Sequence, residues 1–176
     1  MPDFEFDLLV IGGGSGGVRA ARMAAQRGAR VALAEHGRMG GTCVNVGCIP
    51  KKLYSTAAEF AEDFADAAGF GWRVAPPPAL DWAVLKANRA KEITRLNGIY
   101  EGLMSGAQVQ VLRGHARLAA PHTVEVTAPD GAAHRHTARA VLIATGGQPF
   151  KPAVPGGELA VTSDDMFDLP AFPRRL

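Results

Sequence analysis

The sequence predicts an α/β fold, in which helices flank a central parallel sheet and a small antiparallel β-meander follows. Two apolar runs, Asp7–Ile11 and Arg30–Ala34, have the uninterrupted hydrophobicity of buried parallel strands. An alanine-rich segment, Val18–Arg27, lies between them and predicts a helix that ends at Gly28. Strand, helix and strand in this order make one βαβ unit.

Helix signals follow this opening unit. Thr42 is expected to cap a helix that carries both cysteines, and a further helix is expected from Ala57 to Ala68. The triplet Pro76-Pro77-Pro78 then breaks the chain, and Asp81 is expected to cap a long helix through Leu103. The apolar positions expected near one face of that helix are Leu85, Ile93, Leu96, Ile99, Tyr100 and Leu103.

Four short strands complete the pattern. They are expected around Val109–Leu112, Thr123–Thr127, Arg135–Thr137 and Ala140–Ala144. Asp130-Gly131 predicts a hairpin turn between the middle two. The tail is rich in Pro and Gly and has little periodicity, so we expect one domain over residues 1–147 and a connecting segment over residues 148–176.

Composition excludes several classes of function. The net charge of the 176 residues is only +2, and the Lys and Arg residues are scattered, which argues against a nucleic-acid partner. No apolar run has the length of a membrane span, and the first residues lack the pattern of a signal peptide. We therefore expect a cytoplasmic protein, whose reducing surroundings make a disulfide more often catalytic than structural.

A glycine cluster directly follows the first strand. Residues 12–17 fit the pattern G-x-G-x-x-G between a strand and a helix, the context of a dinucleotide-binding loop. Gly12 permits the tight turn, Gly14 lets a pyrophosphate approach the backbone, and Gly17 lets helix and strand pack closely. The N–H groups that begin the helix can hold phosphates. Glu35, at the end of the second strand, would accept hydrogen bonds from a ribose and repel a 2′-phosphate, which leaves NAD and FAD as ligands.

The two cysteines of the chain lie in the run Gly40–Lys52, with four residues between them. Their closeness beside a nucleotide site suggests redox chemistry. Pro50 cannot donate to the carbonyl of Val46, so a distorted helix could bring Cys43 and Cys48 together. The alternatives are two buried thiols or half of a metal site. Since no second Cys or His pair has suitable spacing, no metal is predicted.

These motifs together resemble the flavin-dependent disulfide reductases, the class I pyridine nucleotide-disulfide oxidoreductases. The resemblance runs from Asp7 to about Leu169, and it depends on the glycine loop, Glu35, the cysteine run and the segment 142–147. It implies a Rossmann-like FAD-binding domain with FAD at the glycine loop. The residues that it places at the cofactor are Gly12, Gly14, Ser15, Gly16, Gly17, Glu35, Thr42, Cys43, Lys51, Gly114, Ala116, Ala144, Thr145 and Gly146.

The resemblance also implies catalytic roles. Cys43 would be the thiol that attacks the substrate, and Cys48 would be the thiolate beside the flavin. Lys51 would be the nearby cation that lowers the pKa of such a thiolate and polarises the flavin. The alternative for Lys51 is an exposed position on a solvated helix face.

Within the family, the pair Lys51-Lys52 and the segment 95–100 look most like the glutathione reductase branch. That likeness implies glutathione disulfide as the substrate, with Ser15, Arg22 and Tyr100 at its site. Arg19 and Arg22 share one helix face, which suits an anionic substrate. As alternatives, Tyr100 and Ile99 are core residues and Arg22 is solvated.

The family also needs parts that this sequence does not contain. No second dinucleotide motif follows Gly17, and no histidine matches the acid–base residue of the family's interface domain. We therefore expect an incomplete fold, NADPH binding by a missing domain, a homodimer for the full-length protein and no NADPH-dependent reductase activity for this chain alone. Alternatives are mercuric reductase or another disulfide reductase, an NAD-dependent dehydrogenase with incidental cysteines, or a flavin-binding module without turnover.

Overall fold

The computed structural model describes residues 3–76, 78–173 and 175. The chain divides into two compact units, one formed by residues 1–45 with 95–148 and the other by residues 46–94 with 149–176. Of the expected proline break, Pro76 and Pro78 lie in an irregular segment, and Pro77 lies outside the described residues.

A six-stranded sheet forms the centre of the first unit. Its strands are β1 (Phe6–Ile11), β2 (Val31–Glu35), β3 (Gln110–Arg113), β4 (His115–Ala120), β5 (Thr123–Thr127) and β6 (Ala133–Ile143). Their order across the sheet is β3-β2-β1-β6-β5-β4. Strands β3, β2, β1 and β6 pair in parallel, whereas β6, β5 and β4 pair antiparallel. The predicted α/β class, with a parallel sheet and a meander, is confirmed.

Strand β6 belongs to both parts of the sheet. Its first half pairs with β5 up to Thr137, and its second half pairs with β1 from Ala138 onward. The prediction of two separate strands here was wrong, and β4 was not predicted at all. The turn at Asp130-Gly131 is confirmed, since Gly131 has a φ of 88° and Asp130 Oδ1 accepts the Ala132 N–H at 3.0 Å.

The helices connect and flank these strands. They are α1 (Ser15–Ala25), α2 (Gly41–Val46), α3 (Cys48–Asp66), α4 (Trp82–Gly106) and α5 (Ser163–Met166), with short 3-10 helices at Ala67–Phe70 and Gly157–Leu159. The cap at Asp81 is confirmed, because its Oδ1 accepts the Val84 N–H at 3.0 Å. Thr42 lies inside α2 and is therefore not a cap, which corrects that prediction.

The cysteine segment also departs from the expected single helix. Cys43 lies in α2 and Cys48 begins α3, and Gly47 between them has φ −145° and ψ −113°. Pro50 therefore lies in the first turn of α3, where a missing N–H costs little. The helix expected from Ala57 to Ala68 is the continuation of α3 and ends at Asp66.

The core of the first unit lies on both faces of the sheet. Leu9 and Ile11 belong to one buried cluster, and Val10 and Leu33 belong to the other. Burial on both faces is what the apolar runs of β1 and β2 predict. Helix α4 runs through both units: Ile93, in the second unit, is buried, whereas Ile99, in the first unit, is 45% exposed, so the predicted common face of these residues is not uniformly buried.

No helix within the described ranges is long and apolar enough to cross a lipid bilayer.

Candidate nucleotide and redox site

The glycine loop between β1 and α1 is possible only with glycine at two positions. Gly12 has a φ of 114°, and a Cβ there would lie 2.3 Å from the carbonyl oxygen of Ala144. A Cβ on Gly17 would lie 1.9 Å from the carbonyl oxygen of Gly12. The first glycine therefore lets β1 approach the end of β6, and Gly17 lets α1 approach β1, as the motif predicts.

The start of α1 is open to a ligand. Gly14 is its N-cap residue, and no side chain among the described residues caps it. Ser15 and Gly16 are exposed, and a Cβ on Gly16 would meet no described atom within 4 Å. The first N–H groups of a helix lack intrahelical acceptors and favour an anion. This end of α1 can therefore receive a phosphate, as expected for Gly14, Ser15 and Gly16.

Glu35 connects the glycine loop to the segment after β2. Its Oε2 accepts the Gly13 N–H at 2.6 Å and its Oε1 accepts the Gly37 N–H at 2.7 Å. The side chain is 11% exposed. A carboxylate has about four acceptor positions, so two contacts to the backbone leave capacity for ribose hydroxyls.

A cavity of about 210 Å³ opens beside this carboxylate. Its lining residues come from the ends of β1 and β2, the segment after β6, the β3–β4 connection and the start of β4: Ile11, Gly12, Ala34, Glu35, His36, Gly114, His115, Ala116, Thr145 and Gln148. Cavities outside the carboxyl ends of parallel strands are where ligands bind in such sheets. The fold thus brings together Gly12, Glu35, Gly114, Ala116 and Thr145, which the sequence analysis assigned to one cofactor.

The two histidines of this cavity add aromatic surface. His36 and His115 lie with ring centroids 5.7 Å apart, and His36 Nδ1 is 3.5 Å from Glu35 Oε1. The side chain of His36 is 70% exposed. Neither histidine was assigned to the cofactor, although the neighbouring residues Glu35, Gly114 and Ala116 were.

The cysteines differ in exposure. Cys43, in α2, is half-buried, whereas Cys48 at the start of α3 is exposed, and the structure has thiols at both positions. Cys43 belongs to the first unit and Cys48 to the second. Lys51 is exposed on α3, which agrees with the alternative of a solvated helix face.

Comparison with known proteins gives the family. The family model for pyridine nucleotide-disulphide oxidoreductases matches residues 6–172, nearly the whole chain. The chain belongs to this family.

Several glutathione reductases are similar to this chain over 97–100% of its length. Glutathione reductase of Burkholderia cepacia is 51% identical over 100% of this chain and 38% of its own length. Glutathione reductase of Schizosaccharomyces pombe is 43% identical, and the chloroplastic/mitochondrial glutathione reductase of Pisum sativum is 42% identical. The chain spans 38% of the length of the Burkholderia relative and 32% of the length of the pea relative.

Arg22 and Tyr100, which were assigned to a substrate, lie on the first unit of the chain. Arg22 is half-buried on α1, and its buried Nε makes no hydrogen bond within the part of the chain that the structure describes. Tyr100 is half-buried and packs on the second buried cluster. This packing agrees with the alternative that Tyr100 is a core residue, and it leaves part of the ring accessible.

Two asparagines that sequence reasoning missed hold the segment before Cys43. Asn97 Nδ2 donates to the Met39 carbonyl at 2.7 Å and to Asn45 Oδ1 at 3.0 Å. Asn45 Nδ2 donates to the Gly41 carbonyl at 2.9 Å. The local signals were the position of Asn45 between the cysteines and that of Asn97 in the family-like segment 95–100, but neither signal shows that the two residues, 52 positions apart, contact each other.

The second unit of the chain has a different set of contacts. The half of α4 in this unit holds the segment after α5, because Trp82 Nε1 and Lys86 Nζ each donate to the Leu169 carbonyl at 2.9 Å. Arg89, whose side chain is 7% exposed, pairs with Asp168. An apolar groove of about 450 Å³ lies along α3 and contains none of the predicted site residues.

Proposed function

We propose that this chain is the flavin-binding part of an enzyme that reduces glutathione disulfide with NADPH. The observation that carries the proposal is the open N-terminus of α1 beside the cavity at Glu35, with a cysteine pair on the next two helices. The names of the relatives support the choice of glutathione disulfide as the substrate.

FAD fits the residues that are present. The phosphates would lie at the exposed first residues of α1, where Gly16 leaves the backbone uncovered. The adenosine would occupy the cavity between Glu35 and Ala116, and Thr145 would line it. Thr42, Ala144 and Gly146 complete the proposed cofactor contacts. When bound, FAD would relay electrons from NADPH to the cysteine pair.

The cysteines would carry out two exchange steps. The Cys43 thiolate attacks one sulfur of glutathione disulfide, which breaks the S–S bond and releases one glutathione thiolate that takes up a proton. The Cys48 thiolate then attacks the Cys43 sulfur and releases the second glutathione. The two protein thiols end as a disulfide, and the substrate is reduced to two thiols. Lys51 is proposed as the cation that favours the Cys48 thiolate.

Charge on α1 would select the substrate. Arg22 has an unused buried N–H, and Arg19 is exposed one turn earlier on the same face. Two guanidinium groups favour a substrate of net negative charge, and Ser15 and Tyr100 complete the proposed substrate site. The variant Arg19→Glu/Arg22→Trp should raise the KM for glutathione disulfide strongly. The matched control Arg27→Glu, in the exposed turn after α1, should leave KM unchanged.

The remaining parts of the proposal concern the whole protein. We assign NADPH binding to a domain beyond the flavin-binding part, with residues 148–176 leading toward it, and we propose a homodimer. A disulfide that must be reduced to two thiols in every turnover suits the reducing cytoplasm, which we propose as the location. The 176-residue chain saturated with FAD should then show no NADPH oxidation with glutathione disulfide. Turnover near that of a complete reductase would contradict this division of roles.

The exchange steps are tested with the full-length, FAD-loaded protein. It is reduced with dithiothreitol, desalted and exposed to glutathione disulfide, and the thiols are mapped by mass spectrometry. The variant Cys48→Ser should retain one glutathione on Cys43, because no second thiol resolves it. The matched variant Cys43→Ser should retain none. A glutathione adduct on Cys48 that forms as fast in Cys43→Ser would reverse the assigned roles.

A flavin-binding module without turnover is the second candidate, since the chain spans only 38% of the Burkholderia relative. Stoichiometric FAD binding by a full-length protein that leaves glutathione disulfide unreduced would favour this candidate.

A further inference from the structure

Two side-chain amides, those of Asn45 and Asn97, meet the turn that precedes α2. Asn97 uses its amide nitrogen twice, toward the Met39 carbonyl at 2.7 Å and toward Asn45 Oδ1 at 3.0 Å. Asn45 in turn donates to the Gly41 carbonyl at 2.9 Å. Asn45 is 8% exposed, so this pair is a buried polar network with its donors in use.

The turn that they hold is constrained from the opposite direction as well. Gly40 and Gly41 both have positive φ values, 104° and 59°. A Cβ on Gly41 would lie 2.7 Å from Gly14 Cα, and the Gly40 N–H donates to the Gly13 carbonyl at 2.8 Å. The turn is therefore packed on the proposed phosphate loop on one side and bonded to the amide pair on the other.

Cys43 takes its position from this turn. It is the third residue of α2, which has only six residues, Gly41–Val46. A helix this short is not stable by itself, so the contacts of its ends determine where it lies. The Gly41 carbonyl and Asn45 are both in α2, and both contact the amide network.

We propose that Asn45 and Asn97 are positioning residues for Cys43, because their amides fix the Met39–Gly41 turn against the phosphate loop. The inference deepens the proposed function, in which Cys43 is the attacking thiol, and it rests on that function for its catalytic meaning. The two asparagines would thereby fix the position from which Cys43 attacks a disulfide. They would also connect Cys43 to the loop that would hold the cofactor phosphates.

An isosteric substitution separates positioning by hydrogen bonds from simple filling of space. Asn97→Asp keeps the shape but places a carboxylate oxygen opposite the Met39 carbonyl and Asn45 Oδ1, where two N–H donors were. The introduced carboxyl can donate once it is protonated, so the defect should shrink as the pH falls. Asn97→Leu, similar in shape, has no donor at any pH. Asn88→Asp is the control, since Asn88 is exposed on the same helix.

The measurement is the alkylation rate of Cys43 by iodoacetamide in the full chain, saturated with FAD, in a Cys48→Ser background. Because Cys43 is half-buried, a loosened turn should expose it. We expect Asn97→Asp to react about tenfold faster than the parent near pH 8, a factor set by unsatisfied buried acceptors. The ratio of rates should be smaller near pH 5, because a protonated carboxyl regains one of the two donors. For Asn97→Leu the ratio should stay high at both pH values, and for Asn88→Asp it should stay near one.

Two results would overturn the proposal. One is an Asn97→Asp rate within twofold of the parent at every pH in a protein whose circular dichroism is native. The other is an equal ratio at both pH values for Asn97→Asp. If that variant does not fold, Asn97→Ser replaces it. Its hydroxyl keeps one donor, so the alkylation rate of Cys43 should lie between those of the parent and Asn97→Leu. A rate equal to the parent's would contradict the proposal. Alkylation needs neither glutathione nor NADPH, so failure of the proposed function leaves this test intact.

Discussion

Replacing Glu35 by Gln tests whether this carboxylate organises the nucleotide loop. The carboxylate accepts two backbone N–H groups, from Gly13 at 2.6 Å and from Gly37 at 2.7 Å, with 11% of the side chain exposed. A glutamine oxygen can replace only one of these bonds, and the amide nitrogen then faces an N–H donor. Hydrogen bonds to charged groups contribute about 1.5–3 kcal/mol each, so we expect the free energy of unfolding to fall by about 2–3 kcal/mol.

The assay is urea unfolding of the 176-residue chain, followed by circular dichroism, with FAD binding measured in parallel. The control is Glu101→Gln, which removes an exposed ion pair with Arg113. Exposed ion pairs are worth about 0–1 kcal/mol, so this control should lose little stability. The urea concentration at the unfolding midpoint should fall for Glu35→Gln. The slope of the unfolding free energy against urea concentration should not change, because the same surface is exposed on unfolding. The dissociation constant for FAD should also rise.

If Glu35→Gln lowers the free energy of unfolding no more than Glu101→Gln does, the reasoning is refuted. If stability falls while FAD affinity is unchanged, Glu35 shapes the loop but does not contact the ribose. That outcome would remove one support for the proposed adenosine site.

Three further predictions concern other parts of the chain. Gly17→Ala should abolish FAD binding measured by fluorescence, because the added methyl would lie 1.9 Å from a carbonyl oxygen of the loop. Asp168→Asn should lower the free energy of unfolding by about 1–3 kcal/mol in urea titrations, since Arg89 is left buried without its anion. The side-chain hydrogen bond from Arg135, and after it the one from Arg117, lowers the pKa of Glu125. The stability advantage of the parent over Glu125→Gln should therefore be complete above the unfolded carboxyl pKa and vanish as the pH falls through the lower folded value.

The parts of the fold that were predicted correctly are specified by residues close together in the sequence. Strand β1, the glycine loop and α1 follow one another, and each is specified by its own residues, so the motif and its place were found together. Asp81 caps α4 through a bond three residues away, which is also a local signal. Glu35 was assigned to the site from its position at the end of β2, although its bonds to Gly13 and Gly37 were not foreseen.

The features that were missed depend on contacts distant in sequence. Asn97 is half-buried on a helix of mixed polarity, and its importance comes only from the Met39 turn 58 residues earlier. Strand β4, His115–Ala120, is mostly exposed and has no β-branched residue, so its sequence carries little strand signal. The start of α2 was misplaced because consecutive left-handed glycines move the helix start to Gly41.

The shared strand β6 has a consequence for the order of folding. Strand β1 can pair with β2 once about 35 residues have been synthesised. Its other edge can pair only when residues 138–143 are present, because Phe6 pairs with Ala138 and Ile11 with Ile143. Contacts this far apart in sequence close slowly, because the intervening loop must be ordered first. During synthesis, one edge of β1 therefore remains unpaired until nearly the whole unit has emerged, and a nascent chain cut before residue 138 would expose a strand edge prone to aggregation.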